Sequence, residues 1–468
     1  MALPTKLLID GQLLDGSGLL SVVDPSTGEP FVEVPRASQA QMEAAIAAAK
    51  AAQPAWGAAP LSTRRERLAR FADAVAQHTD ELARTLVMEQ GKPLEQAHAE
   101  ISYAEFFLRH FATAELPVEI VQDDEVLRVE VHHRPLGVVA GITPWNFPVL
   151  IAAYKLGPSL LLGNTFILKP APTTPVTSLM LGALARDIFP PGVVNVVTDA
   201  NDLGALLTTH PDVAKISFTG STPTGRKVMA SAASTLKRIT LELGGNDAAI
   251  VLDDVDVAAV APKIFAGAFL NAGQVCIAIK RLYVHDRVYD ALCGALAAQA
   301  DTSVLGNGLD ASTSMGPLQN AAQYAKAQCL LDVAASDGTI VTGGIEARNS
   351  GYFVRPTIVR DITDGSELVD EEQFAPILPV VRFNDIDDVV SRANASPYGL
   401  GGSVWSGDID RAYELAQRID SGTVWINHHL HFGPHIPFAG AKQSGYGVEF
   451  SEAGLSEFGQ THVISIAK

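Results

Sequence analysis

Two side chains in this sequence combine a reactive group with an unusual setting. Cys276 stands in "NAGQVCIAIKR", where the small polar run Asn271–Gln274 delivers a thiol into an apolar stretch. A thiolate is a strong nucleophile, and its reactivity calls for partial exposure and a lowered pKa, which backbone dipoles at such a turn supply. The plain alternative is a core cysteine. Glu242 sits in "ITLELGGNDAAIV", inside an apolar strand and ahead of Gly244-Gly245. Desolvation there raises a carboxyl pKa towards neutrality and fits it to general acid–base work, while the double glycine lets a ligand or another backbone approach closely. The rival account is the solvent face of an edge strand. Cys293 in "YDALCGALAAQA" and Cys329 in "AKAQCLLDV" have helical spacing among apolar neighbours, which predicts core packing for both.

Three further stretches bear on ligands. In "KISFTGSTPTGRK" a strand runs into Gly220, turns, and restarts as a helix with Pro223 in its first turn; bare N–H groups and a positive dipole end then face a phosphate. An ATP-binding loop is excluded, because Arg226 follows Gly225, Lys227 comes one place late, and Val228 stands where a metal-binding hydroxyl belongs. In "NTFILKPAPTTP", Lys169 ends a strand and points towards the crevice where open α/β sheets bind ligands, although taken in isolation a surface lysine is the better account. His428, His429, His431 and His435 lie in a Gly/Pro loop without matching cysteine or acidic ligands, so no metal site is expected.

The elements that must carry these groups follow from pattern. Short apolar runs, "GVVAGI", "NTFILK", "VVNVV", "KISFTG" and "AAIVL", alternate with helices from about Leu136, and a second series follows Cys276. Such runs fit strands buried on both faces of parallel sheets, so the fold class is α/β with two doubly wound units. Ahead of them, "KLLIDGQLLDGSG" reads as a hairpin with an Asp-Gly turn. Capping boxes at Ser38/Gln41 and Thr63/Glu66 open two helices, the second running to Gly91. "VLRVEVHH" and the C-terminal "THVISIAK" are strands without a partner in either unit, fit for an intersubunit sheet or an edge addition. A formal charge of −18 without a basic stripe argues against nucleic acid and anionic membranes. The longest uncharged stretch, "GVVAGITPWNFPVLIAAY", is broken by Pro144, Asn146 and Pro148 and reads as buried interior. Three cysteines make no disulfide framework, and the N-terminus has no signal-peptide pattern, which together point to the cytoplasm.

Taken together in order and spacing, "PWNFP", "LKP", "FTGST" with Gly225, "LELGG", "GQVC", "EEQFAP", "GTVWIN" and "PFAGAKQSGYG" resemble the NAD(P)-dependent aldehyde dehydrogenase superfamily along almost the whole chain, in its hydrolytic, non-CoA-acylating branch. The resemblance implies that Cys276 is the nucleophile, Asn146 an oxyanion donor with the Cys276 N–H, and Glu242 the base that hydrolyses a thioester. It implies cofactor contacts at Trp145, Lys169, Gly220, Ser221, Gly225, Leu243, Glu372 and Phe374, with NAD as cofactor and NADP as the alternative. It implies a substrate wall of Phe147, Ile151, Tyr154, Leu270, Val275, Ile277, Leu430, Phe432 and Phe438. Pro172 stands where many NAD-using members carry an acidic residue, Ala375 and Ala439 replace usual glycines, and Val448 replaces a usual arginine.

The function so implied is oxidation of an apolar aliphatic or aromatic aldehyde to its acid, since Tyr154 stands where succinate-semialdehyde enzymes often carry arginine. A succinate-semialdehyde-type dehydrogenase and a non-catalytic binding protein of this fold are the alternatives. The implied domains are 1–117 and 137–243 for cofactor, with 438–455 returning to them, 244–437 for catalysis, and a small β element of 118–136 and 456–468 that joins subunits into a homodimer or homotetramer.

Overall fold

The structure is a computed structural model that describes residues 3–346 and 350–468. Residue 1, where the first implied domain segment begins, lies outside that range. Strands Val138–Ile142 and Thr165–Lys169 are buried at every position, as expected for parallel strands covered on both faces. With Val194–Val196, Val213–Thr219 and Arg238–Glu242 they form the parallel core of an eight-stranded sheet. Taken in chain order, these five strands lie third, second, first, fourth, fifth, so the topological switch falls between Val138–Ile142 and Val213–Thr219.

The hairpin Leu7–Ile9 and Gln12–Leu14 pairs antiparallel on one side of this sheet. Its turn residues Asp10 and Gly11 both have positive φ (51° and 72°), the backbone a two-residue hairpin turn needs. On the far side, Gly445–Tyr446 returns antiparallel to Arg238–Glu242.

The second sheet has seven strands, in the order Thr339–Ile345, Val354–Arg360, Ile377–Phe383, Ile279–His285, Asp247–Val251, Gly401–Trp405 and Thr423–Ile426. All neighbours are parallel except the first pair. Buried apolar side chains divide into two clusters, one around each sheet. The chain crosses between the sheets in four residues, from Glu242 at the carboxyl end of one strand to Asp247 at the amino end of another. The ligand-binding edge of the first sheet is thereby set against the amino-terminal edge of the second.

The two unpartnered strands find each other. Gly459–Ala467 pairs antiparallel with Leu127–Pro135 over its full length, and Glu119–Asp123 completes a three-stranded sheet. Three expectations are corrected. The helix expected from Thr63/Glu66 starts earlier, at Leu61 behind Pro60, without a side-chain cap. It then breaks at His78, where His78 Nδ1 bonds Ala74 O at 2.8 Å and Thr79 Oγ1 bonds Ala76 O at 2.9 Å, so side chains compete with the helical ladder. Cys329 is exposed, because its helix Ala321–Asp337 turns Ala327, Leu330, Leu331 and Ala334 inward and leaves the thiol on the other face. The Ser38/Gln41 capping box and the buried Cys293 stand as expected.

Candidate active site

Cys276 follows a backbone that only a supported loop can hold. Asn271, Ala272 and Gly273 are consecutive left-handed residues (φ 52°, 55° and 73°). Asparagine and glycine tolerate this conformation, while for Ala272 it costs about 1 kcal/mol. The loop is bound from within and below. Gln274 Nε2 donates to Asn271 O at 2.9 Å, and Gln274 Oε1 accepts the Gln319 N–H at 2.8 Å. Buried Lys280 donates to the carbonyls of Val275 and Cys276 at 2.9 and 2.6 Å. The double glycine meets the need read for it: a Cβ on Gly245 would lie 2.6 Å from Cys276 O, and one on Gly244 would lie 2.4 Å from Glu372 Oε2.

Cys276 is partly exposed, as expected of a reactive thiol, but its pKa is not lowered. Burial pushes the Cys276 pKa up to about 12; Lys280 pulls it down, and Glu242, Glu372 and Asp247 raise it further. The resting group is a thiol, so its proton must leave as it attacks. Glu242, at the end of its strand, is 4% exposed, and neither carboxylate oxygen has a hydrogen-bond partner among the described residues. Burial raises its pKa well above the ordinary carboxylate range, Glu449 adds to the rise and Lys155 opposes it. Those two form a buried ion pair of 2.7 Å, with Ser217 bonded to both at 2.8 and 3.1 Å.

Asn146 lies just before helix Pro148–Leu161. Its Nδ2 donates to Gln274 O at 3.0 Å, and its backbone carbonyl accepts from Lys92 Nζ at 2.8 Å and Asn271 Nδ2 at 3.2 Å. Lys92 is fully buried in a 2.6 Å ion pair with Glu100, whose other oxygen caps the N–H groups of Val149 and Leu150. The pair therefore fixes both the Asn146 turn and the start of the helix. Sequence reasoning missed Lys92, Glu100, Lys155, Lys280 and Glu449; none sits in a periodic or motif context that separates it from a surface charge.

One cavity of about 500 Å³ brings these groups together. Cys276, Glu242 and Asn146 line it, with all nine expected wall residues, Phe147, Ile151, Tyr154, Leu270, Val275, Ile277, Leu430, Phe432 and Phe438. Tyr103 and Phe450 also line it and were not foreseen; Phe450 is held at φ 64°, an uncommon conformation for a bulky side chain. Tyr103 meets Phe432 at 5.4 Å between ring centres, and Tyr154 meets Phe450 at 4.9 Å.

Of the expected cofactor contacts, Trp145, Gly220, Ser221, Leu243, Glu372 and Phe374 line the same cavity. Ser221 precedes helix Thr222–Ala232, with Pro223 in its first turn. Glu372 accepts the Gly245 N–H at 3.0 Å, and Trp145 meets Phe374 edge-on at 5.4 Å. Two contacts stand apart. Gly225 packs under Leu243, where a Cβ would lie 2.4 Å from Leu243 Cδ2. Lys169 is buried in a 2.7 Å ion pair with Asp199. A helix start at a switch point, beside the Glu372 carboxylate and an aromatic pair, fits a dinucleotide. Among the described residues no cluster of metal-ligating side chains occurs, and no helix is long and apolar enough to cross a membrane.

Comparison with known proteins agrees with this geometry. The family model described as Aldehyde dehydrogenase family matches residues 14–464. The chain is 41% identical to the aldehyde dehydrogenase LUC3 of Fusarium sp over 98% of each chain. It is 38% identical to the phenylacetaldehyde dehydrogenase of Pseudomonas fluorescens, covering 100% of this chain and 97% of that one. A crystal structure of betaine aldehyde dehydrogenase from Staphylococcus aureus in complex with NAD+ is similar at a TM-score of 0.95 and 32% identity, over 99% of this chain and 94% of that one. The chain belongs to the aldehyde dehydrogenase family. It is an oxidoreductase that takes an aldehyde to its carboxylic acid with a nicotinamide dinucleotide as oxidant.

Proposed function

We propose that this enzyme oxidises apolar aliphatic and aromatic aldehydes through a thiohemiacetal and then a thioester on Cys276. The observation that carries the reading is the shared cavity: a thiol, a buried carboxyl with no hydrogen-bond partner among the described residues, and a side-chain amide face one largely apolar chamber with several aromatic rings. Cys276 Sγ bonds the carbonyl carbon as its proton leaves to solvent. Asn146 Nδ2 and the Cys276 backbone N–H donate to the oxygen as negative charge develops on it. Bound NAD supplies the hydride acceptor. Trp145, Gly220, Ser221, Leu243, Glu372 and Phe374 hold that cofactor in the cavity, and Lys169 and Gly225 act from beside it. Glu242 then takes a proton from water as the water attacks the thioester carbon, and returns it to the departing Cys276 sulfur as the acid leaves.

The chamber favours apolar substrates over acidic semialdehydes. Among its described lining residues Lys326 is the one cation, and it is bonded to Glu372 O at the cofactor side rather than standing among the aromatic rings. A substrate carboxylate at the aromatic end meets no counter-charge.

The domain division follows the two sheets, with 1–117, 137–243 and 438–455 for the cofactor, 244–437 for catalysis, and 118–136 with 456–468 for pairing subunits into a dimer or tetramer. Exposed Ile120, Val121, Val463 and Ile466 on the three-stranded sheet support that last role. Three free cysteines suit the cytoplasm. The test is reduced-cofactor formation across aliphatic, aromatic and semialdehyde substrates, with Cys276→Ala as the blank. Turnover of the apolar aldehydes that vanishes in the blank supports the reading; turnover confined to succinate semialdehyde overturns the substrate assignment.

A further inference from the structure

In doubly wound dinucleotide folds, an acidic side chain near the end of the second parallel strand receives the adenosine ribose hydroxyls and disfavours a 2′-phosphate. Here that strand ends Lys169-Pro170-Ala171-Pro172 and offers a cation but no carboxylate. The carboxylate arrives from the neighbouring strand. Val194–Val196 runs on through Val197 and Thr198 to Asp199, which is wholly buried. Asp199 Oδ1 lies 2.7 Å from Lys169 Nζ, and Asp199 Oδ2 accepts the Leu203 N–H at 2.8 Å, which fixes the carboxylate in place. Lys169 also donates to Asn201 Oδ1 at 3.3 Å and is itself only 3% exposed. Arg36, on the surface, pairs with Asp202 at 2.5 Å.

We infer that Asp199, through its ion pair with Lys169, sets the coenzyme choice of this enzyme for NAD over NADP. The inference rests on the reading above, in which Lys169 serves the cofactor. A lysine recognises phosphate as a point charge. With that charge already matched at 2.7 Å by a fixed carboxylate, a 2′-phosphate gains little from Lys169 and is repelled by Asp199. A ribose hydroxyl, being neutral, meets no such penalty. Asp199 is a positioning residue: it is buried and acts on the coenzyme through the lysine.

The test is calorimetric titration of the purified enzyme with NAD and NADP separately, for the wild type and Asp199→Asn. Asparagine keeps an oxygen for the Leu203 N–H but leaves a buried ammonium without its counter-ion, which a 2′-phosphate then supplies. The wild type is expected to bind NAD at least tenfold more tightly than NADP. In Asp199→Asn, the ratio of NADP to NAD affinity is expected to rise tenfold or more, and the gain should shrink as salt rises. A loss of fold would lower both affinities and leave their ratio alone, so the ratio is the readout. An unchanged ratio in a folded variant overturns the inference. So does a wild type that binds NADP as tightly as NAD, a result that needs no variant. Binding of neither dinucleotide would remove the cofactor reading itself, and the inference with it.

Discussion

The side-chain amide of Asn146 donates to the carbonyl of Gln274 across 3.0 Å, tying the proposed oxyanion donor to the residue two places before the nucleophile. The backbone of Asn146 is clamped by Lys92 and Asn271, so the amide is aimed before any substrate arrives. Preorganised donors of this kind contribute about 10²–10³ in kcat. Asn146→Ala should therefore lower kcat by about that factor, measured under saturating aldehyde, with NAD affinity by calorimetry unchanged.

Lys280 offers a separate test of how the thiol is prepared. Its ammonium bonds the carbonyls of Val275 and Cys276 and is the group that pulls the thiol pKa down against burial. Lys280→Met should slow alkylation of the Cys276 peptide by iodoacetamide about tenfold or more at pH 9, read by peptide mass spectrometry. Two carbonyls lose their donor, so unfolding stability should also fall by about 2 kcal/mol. Alkylation at the wild-type rate would mean that Lys280 acts on shape alone.

Asp247, beneath the crossing between the sheets, gives a pH dependence with a definite sign. Burial raises its carboxyl from 3.8 to about 7, with Lys280 opposing the rise. The folded state thus keeps a proton that the unfolded chain releases. The associated stability is fully present below about pH 4 and is lost as pH rises through about 7. Asp247→Asn has no proton to lose. Its melting temperature relative to the wild type should climb between pH 4 and pH 8 and level off above, a difference worth up to about 4 kcal/mol. A gap independent of pH would contradict the protonated Asp247.

The aromatic wall makes a prediction about substrate choice. Phe432 lies between Tyr103 and Phe450, with ring centres 5.4 and 6.0 Å away. Removing its ring takes away about 1.5–3 kcal/mol of apolar burial for a substrate that reaches it. In Phe432→Ala, kcat/KM for an aromatic aldehyde should fall about 10- to 100-fold, while that for acetaldehyde, too short to touch the ring, should change little.

What the sequence disclosed and what it hid divide by the range of the signal. Strands such as "GVVAGI" and "NTFILK" were legible because burial on both faces leaves a continuous apolar run. The residues lining the cavity were legible only through several short motifs occurring in a fixed order. The buried charges were not, because Lys155 and Glu449 are 294 residues apart and nothing local distinguishes a lysine destined for a buried pair from a solvated one. Phe450 escaped notice for a similar reason: it reaches the cavity through a left-handed backbone at the end of a returning segment. The rise in the thiol's pKa was hidden too, since the polar turn preceding Cys276 is visible in sequence and the desolvating and acidic groups gathered around it are not.

The most direct test of the central claim uses Glu242→Gln mixed with NAD and an aromatic aldehyde. Glu242 acts on water and not on the thiol, so without it the thioester still forms but hydrolyses slowly. One equivalent of reduced coenzyme should appear rapidly and then nearly stop, and the Cys276 peptide should gain the mass of the aldehyde less two hydrogens. Steady turnover without a burst, or a burst with the added mass elsewhere than Cys276, would contradict the division of labour between Cys276 and Glu242.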